Sequence, residues 1–220
     1  MAIPLRSDAL KQRFLPFLLL AVAAISCSPK SEINRQLIAA VARGDEAKVN
    51  GLLRGGADAN AREEAGSGRT ALIMAAEEDF GAIASDLVGR GADVNAKSND
   101  GSTALMNAAG EGNLGIMKLL LSKGADPNAV DSFGQTALIK AAASGEREAV
   151  ELLVAEGAAI NKADGTGFTA VMKAIVNGHA DIADVLQKKG ATVSDADRRN
   201  IQNALRQEGT GEEVVDTESR

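Results

Sequence analysis

Two side chains occur once each in the 220 residues, His179 and Cys27, and an imidazole base or a thiolate metal ligand would have to be drawn from them. A base acts only with a nucleophile or an orienting group within hydrogen-bond reach. His179, in Asn177-Gly178-His179, brings no such constellation with it. One histidine and one cysteine cannot complete a zinc set, and what remains is scattered carboxylates. The stretch Gly66-Ser67-Gly68-Arg69-Thr70 superficially resembles a phosphate-cradling loop. It lacks the Lys-Ser/Thr ending and a preceding strand, so it reads as a turn. These residues predict no catalytic residue, no metal site and no cofactor. No small-molecule substrate is expected, and the chain is not expected to be an enzyme.

The elements that must position whatever this chain presents are repeated. A phrase built on Gly-Ala-Asp-x-Asn returns with its glycine at Gly56, Gly91, Gly124, Gly157 and Gly190, complete in the first three copies and altered at Ala159, Thr192 and Ser194. A second phrase keeps a step of 33 residues: Thr70-Ala71-Leu72, Thr103-Ala104-Leu105, Thr136-Ala137-Leu138 and Thr169-Ala170-Val171. Two signals locked in phase define an array of about five units. Such arrays bury neighbour against neighbour and leave an extended surface for binding. With no Trp, no Tyr and five Phe, two of them at Phe14 and Phe17, the core must be built from Ala and Leu.

One unit, Asp100 to Asn128, shows how each copy folds. Gly101 supplies a turn conformation, and Thr103 offers a hydroxyl to the orphan amides of a helix start. Ala104, Leu105, Ala108 and Ala109 make a thin apolar face that admits a close neighbour, and Gly112 ends the segment. Leu114, Met117, Leu120 and Leu121 follow at helical spacing up to Gly124. Asp126-Pro127-Asn128 cannot continue as helix.

The unit resembles the ankyrin-repeat family, through Gly101, Thr103, Leu105, Ala108, Ala109, Gly112, Asn113, Leu119, Leu120, Gly124, Ala125, Asp126 and Asn128. The likeness runs from about Ile33 to Ser194. It implies an all-α solenoid of about five helix-turn-helix units, with β-hairpin fingers at right angles and a C-terminal capping helix. The units fall near 32–65, 66–98, 99–131, 132–164 and 165–209, the last including a capped helix at Ser194–Gln207 with Ile201, Ala204 and Leu205 apolar; residues 210–220 read as a disordered tail. By the same likeness His179 is a spacer between helices. Ala replaces the family's Pro at positions 71, 104, 137 and 170, and Ile73, Met106, Ile139 and Met172 replace its His. Asp79 stands where the other units have a helix-ending Gly, and Asp86 where a core Leu is usual. Burying an unpaired carboxylate is costly, so a helix rotated to place Asp86 in water is expected over a buried, partnered one. Nine residues, Ala61 to Arg69, stand where later copies have seven, which lengthens the first finger.

In the family, partners bind the concave side made by fingertips and inner helices. That side maps to Asn99, Asp100 and Ser102, to Asp131, Phe133 and Gln135, and to Asp164, Thr166 and Phe168, with Met74, Asn107, Lys140 and Lys173 on the inner helices. Phe133 and Phe168 are binding hot-spot candidates if presented at the edge. The alternative is that each packs beneath its own finger. Glu77, Glu78 and Glu111 add either an acidic stripe or a merely solvated face.

The N-terminus reads as an export segment over residues 1–26: Arg6, Lys11 and Arg13 precede an apolar run from Phe14 to Ile25 that is too short to span a bilayer. Cys27 follows Ala24-Ile25-Ser26, similar to the lipobox of bacterial lipoproteins with Ala24 where Leu is usual. Lipid attachment at Cys27 with a short tether at 27–31 is one reading; ordinary cleavage to a soluble periplasmic or secreted product is the other. By the same lipoprotein likeness, Ser28 in place of an Asp implies the outer membrane in a Gram-negative host. Export removes three basic residues and one acidic one, so the net charge of −6 becomes −8, which argues against nucleic acid or anionic lipid headgroups as partners. The expectation is a monomeric, non-enzymatic scaffold held in the envelope by its lipid alone and binding a protein partner. Its alternatives are an inhibitor or immunity protein sequestering a toxic or degradative enzyme, and a structural or stress-protective envelope protein.

Overall fold

The computed structural model describes residues 29–64 and 66–207. The export segment, Cys27 and the tail from 210 lie outside the described residues. Five helix pairs follow in order: α1 (Pro29–Val41) with α2 (Glu46–Arg54), α3 (Ala71–Glu77) with α4 (Gly81–Gly89), α5 (Ala104–Gly110) with α6 (Leu114–Ser122), α7 (Ala137–Ser144) with α8 (Arg147–Ala155), and α9 (Ala170–Val176) with α10 (Ala180–Lys188). The helix α11 (Asp195–Gln207) closes the array against α9. The helix α1 opens at Pro29, inside the segment expected to be a tether.

Helices of seven to nine residues are too short to persist alone, so packing must sustain them. Thr70, Thr103 and Thr136 start the inner helices: each hydroxyl accepts from the amide three residues on, at 3.2–3.3 Å. Thr169 makes no such bond, and its buried hydroxyl has no hydrogen-bond partner among the described residues. Ala75, Ala76, Ala108, Ala109, Ala141 and Ala142 are fully buried, which lets the inner helices approach closely, while Leu72, Leu105 and Leu138 fill the layer between them. One continuous core results, from Leu37 to Ile201.

The recurring Asn welds unit to unit. Asn128 accepts from the Ala159 amide at 2.7 Å and donates to the Gly157 carbonyl at 3.1 Å, and Asn60, Asn95 and Asn161 repeat both bonds one step along. The altered fourth and fifth copies keep the arrangement because a backbone amide is the donor, whatever its side chain.

The fingers differ from the hairpins expected. Among the described residues they contain isolated antiparallel bridges, Arg62 with Thr70 and Lys97 with Thr103, and no strand. Each finger is instead held by its turn and by its neighbour. Along the fingertips, the Asn99 amide donates to the Ser67 carbonyl, Ser132 to Asp100, and Gly165 to Phe133, all at 2.7–2.8 Å. Gly134 is needed there: its φ is +75°, and an added Cβ would stand 2.7 Å from the Gly165 nitrogen.

Asp86 is not turned into water. The helix α4 keeps Ile83, Ala84 and Leu87 in the core, and the half-buried Asp86 carboxylate accepts from the Asn50 side chain at 2.8 Å. The position is a half-buried one throughout the array, as at Leu119, Leu152 and Val185, so a single amide from the preceding unit satisfies it. Asp79 adopts φ +55°, the left-handed conformation that Gly44, Gly112, Gly145 and Gly178 hold in the other units. Replacing Asp79 with Gly is expected to stabilise the array by about 1 kcal/mol by removing this strain. A urea midpoint unchanged or lowered in Asp79→Gly would contradict it.

Candidate functional site

The finger turns are organised by buried carboxylates. Asp131 is buried, and its Oδ1 accepts from the amides of Phe133 and Gln135, both at 2.9 Å. Asp164, one unit on, accepts from the Thr166 amide and hydroxyl at 2.8 and 2.6 Å and from the Phe168 amide at 2.9 Å. The second oxygen of each faces a lysine of its own inner helix: Lys140 lies 3.1 Å from Asp131 Oδ2 and Lys173 lies 3.4 Å from Asp164 Oδ2. The Lys140 contact is one of charge, since Asp131 Oδ2 has no aligned hydrogen bond. Burial pushes the Asp164 carboxyl upward, and the bonds from Thr166 and Phe168 with the Lys173 charge outweigh it, so the acid lies below its ordinary range.

One unit earlier, Ser98 and Asn107 stand where Asp and Lys stand later. The missing carboxylate is supplied by Asp100, which takes hydrogen bonds from the Ser98 hydroxyl, the Ser102 amide and the Ser102 hydroxyl. The Ser98 bond leads in holding the Asp100 carboxyl below its ordinary range. Asn107 therefore has no finger carboxylate to hold it.

These contacts correct part of the expected binding set. Ser102, Asp131 and Asp164 are buried and build the turns, and Met74 is buried in the core. Asn99, Asp100, Phe133 and Thr166 are exposed at the fingertips; Asn107, Gln135, Lys140 and Lys173 are half-buried on the inner face. The two aromatic candidates part company. Phe133 is 67% exposed, whereas Phe168 packs against the core beneath Lys173, whose Nζ lies 4.8 Å from the ring centroid. His179 is a spacer: its Nε2 lies 3.1 Å from the Ala143 carbonyl, and Asn177 donates to the same oxygen at 2.7 Å.

On the inner face the structure opens a groove of about 260 Å³, lined by Glu77, by Met106, Asn107, Gly110 and Glu111, and by Gln135, Lys140, Ala143 and Ser144 of the following unit. Gly110 makes the room. Its counterparts at the same register are Glu77, Ala143 and Val176, and an added Cβ would meet only the Lys140 Cβ, at 3.8 Å. One step further on, the Gln135 position is Phe168. Gly110 was not among the expected site residues, although laying the units in register would have exposed it as the position without a side chain. Glu77 leans on Arg69, which donates to it at 2.6 Å and grips Glu63 through two further bonds. A second groove of about 280 Å³, lined by Ile175, Gly178, Ala180, Ala183, Asp184 and Gln187, includes none of the expected residues.

No group of three metal-binding side chains occurs among the described residues, and no described helix is long and apolar enough to cross a membrane. A family model for ankyrin repeats, three copies long, matches residues 37–131 and again 124–197. No curated protein matches the chain in sequence.

Proposed function

The chain belongs to the ankyrin-repeat family, and from that premise we propose a protein-interaction scaffold that binds its partner along the edge formed by the fingertips and the inner-helix groove. The observation that carries this reading is Phe133. It is a large apolar side chain left 67% exposed on a finger fixed at both sides, by Ser132 to Asp100 and by Phe133 to Gly165. A rigid exposed aromatic gives contact area at little ordering cost, which is the character of a binding hot spot. No reacting group is needed for this work.

The test is capture of partners on the immobilised full chain, compared with Phe133→Ser and with Lys118→Glu on the exposed side of α6. A partner retained by the wild type and Lys118→Glu but weakened at least tenfold by Phe133→Ser is the expected result. Equal retention by both variants would refute the fingertip assignment. One stoichiometric partner would favour dedicated sequestration of that protein; several weak ones would favour an organising role.

The envelope location belongs to the same proposal and is supported by the sequence alone: three basic residues, the apolar run Phe14 to Ile25, and Cys27 two positions before Pro29 opens α1. A lipid on Cys27 would hold the array within one or two residues of the leaflet. Cys27→Ala is expected to abolish acyl labelling and to release the chain from membranes. Retention of both in the variant would reject the anchor.

A further inference from the structure

We propose that the Gly110 groove is the specificity pocket of this scaffold and that it receives one arginine or lysine side chain projecting from a loop of the partner protein. The proposal rests on the concave-face reading and adds the chemistry of the occupant.

Size restricts the occupant first. At about 260 Å³ the groove falls below the roughly 300–1,000 Å³ of small-molecule sites, which suits a single side chain better than a metabolite. Its lining is mixed, with Asn107, Glu111, Gln135 and Lys140 around the Gly110 gap and Ala143 as an apolar side along which an alkyl stem can lie.

Charge then selects the sign. Lys140, the basic residue lining the groove, is already neutralised by the fully buried Asp131 side chain. Arg69 is shared between Glu63 and Glu77 and engages Glu77 through Oε2. Glu111 is exposed and has no salt bridge among the described residues. With these pairs counted, two negative charges remain in excess around the groove. An acidic side chain is therefore repelled, and a cationic head can reach Glu111 and the free oxygen of Glu77 while its stem lies in the space Gly110 leaves. Phe133, on the finger that supplies Gln135, offers an apolar rim to the loop that carries the cation.

Gly110 allows the pocket to be filled without disturbing the fold. It ends α5 with ordinary helical φ, and the space above it is open, so a larger residue there favours the helix while occupying the groove. The experiment titrates the 15N-labelled full chain with N-acetyl-arginine amide, and with the glutamate and leucine amides as counterparts. The arginine probe is expected to shift the amides of Asn107, Gly110, Glu111 and Ala143 saturably, at millimolar concentration, with the glutamate probe inert. Gly110→Leu should weaken this binding at least tenfold at an unchanged or raised urea midpoint, Gly110→Ala should weaken it less, and Glu111→Gln about threefold. Equal shifts from the arginine and glutamate probes, or wild-type binding by Gly110→Leu, would overturn the pocket. Partner capture that depends on Phe133 but survives Gly110→Leu would likewise overturn it, while leaving the concave-face reading intact.

Discussion

Leu138→Ala should destabilise the array by about 3 kcal/mol, within the 2–5 kcal/mol range typical of a buried leucine. Leu138 is 1% exposed on α7, the inner helix that packs on both α5 and α9, and the buried faces of those helices are rich in alanine, which has no length to move into the space. The cavity therefore stays open. For a chain of this size the loss corresponds to roughly 6–12 °C in Tm. A second consequence follows from the one-dimensional architecture: each unit is held by nearest neighbours, so weakening the fourth unit loosens the fifth and α11 before the first three. Urea unfolding followed by far-UV circular dichroism should lose its single transition, and hydrogen exchange should rise first beyond residue 136. A sharp single transition displaced by less than 1 kcal/mol would show that this layer is not the centre of the core.

Asp164→Ala should destabilise by about 3 kcal/mol at neutral pH, because three hydrogen bonds to a charged acceptor disappear and Lys173 loses its counter-charge. Asp164→Asn keeps an oxygen that can accept from the Thr166 and Phe168 amides, and should lose about 1 kcal/mol. The two variants separate shape from charge. The folded-state acid is lowered below its ordinary value, so its contribution is complete above the unfolded value near 3.9 and is lost as pH falls through the lower folded value. The stability gap between wild type and Asp164→Asn should therefore be widest at neutral pH and narrow below about pH 4. Glu63 and Asp100 are lowered too, and the wild-type acid slope they contribute persists in the variant. Parallel pH profiles for the two proteins, measured by urea midpoints from pH 7 to 3, would reject the assignment.

Both variants act on residues whose roles were unequally legible. Leu138 is readable as core from Thr136-Ala137-Leu138 alone, because the phrase recurs in step with the Gly-Ala phrase and only one helical face can meet a neighbour. Asp164 reads equally well as an exposed fingertip acid and as a buried turn acceptor. Its neighbours along the chain, Gly165 and Gly167, allow either. The decision came from Lys173, nine positions on and across the turn. The same is true of Asp86, whose partner, Asn50, belongs to the preceding unit.

By itself the sequence determined the period and the helix starts at Thr70, Thr103 and Thr136. These depend on local chemistry: a hydroxyl three residues from an amide, a turn that needs glycine, an apolar face repeated every 33 residues. Only the tertiary structure decided which side chains the concave face presents. Phe133 and Phe168 lie in adjacent fingers, yet Phe133 occupies the tip and Phe168 the register of Gln135, so one projects and the other lies beneath Lys173. The groove was equally invisible to local reasoning, because it is a side chain absent at Gly110 among residues of three units. Neighbours separated by a full repeat set exposure and empty space, and a linear reading does not bring them into contact.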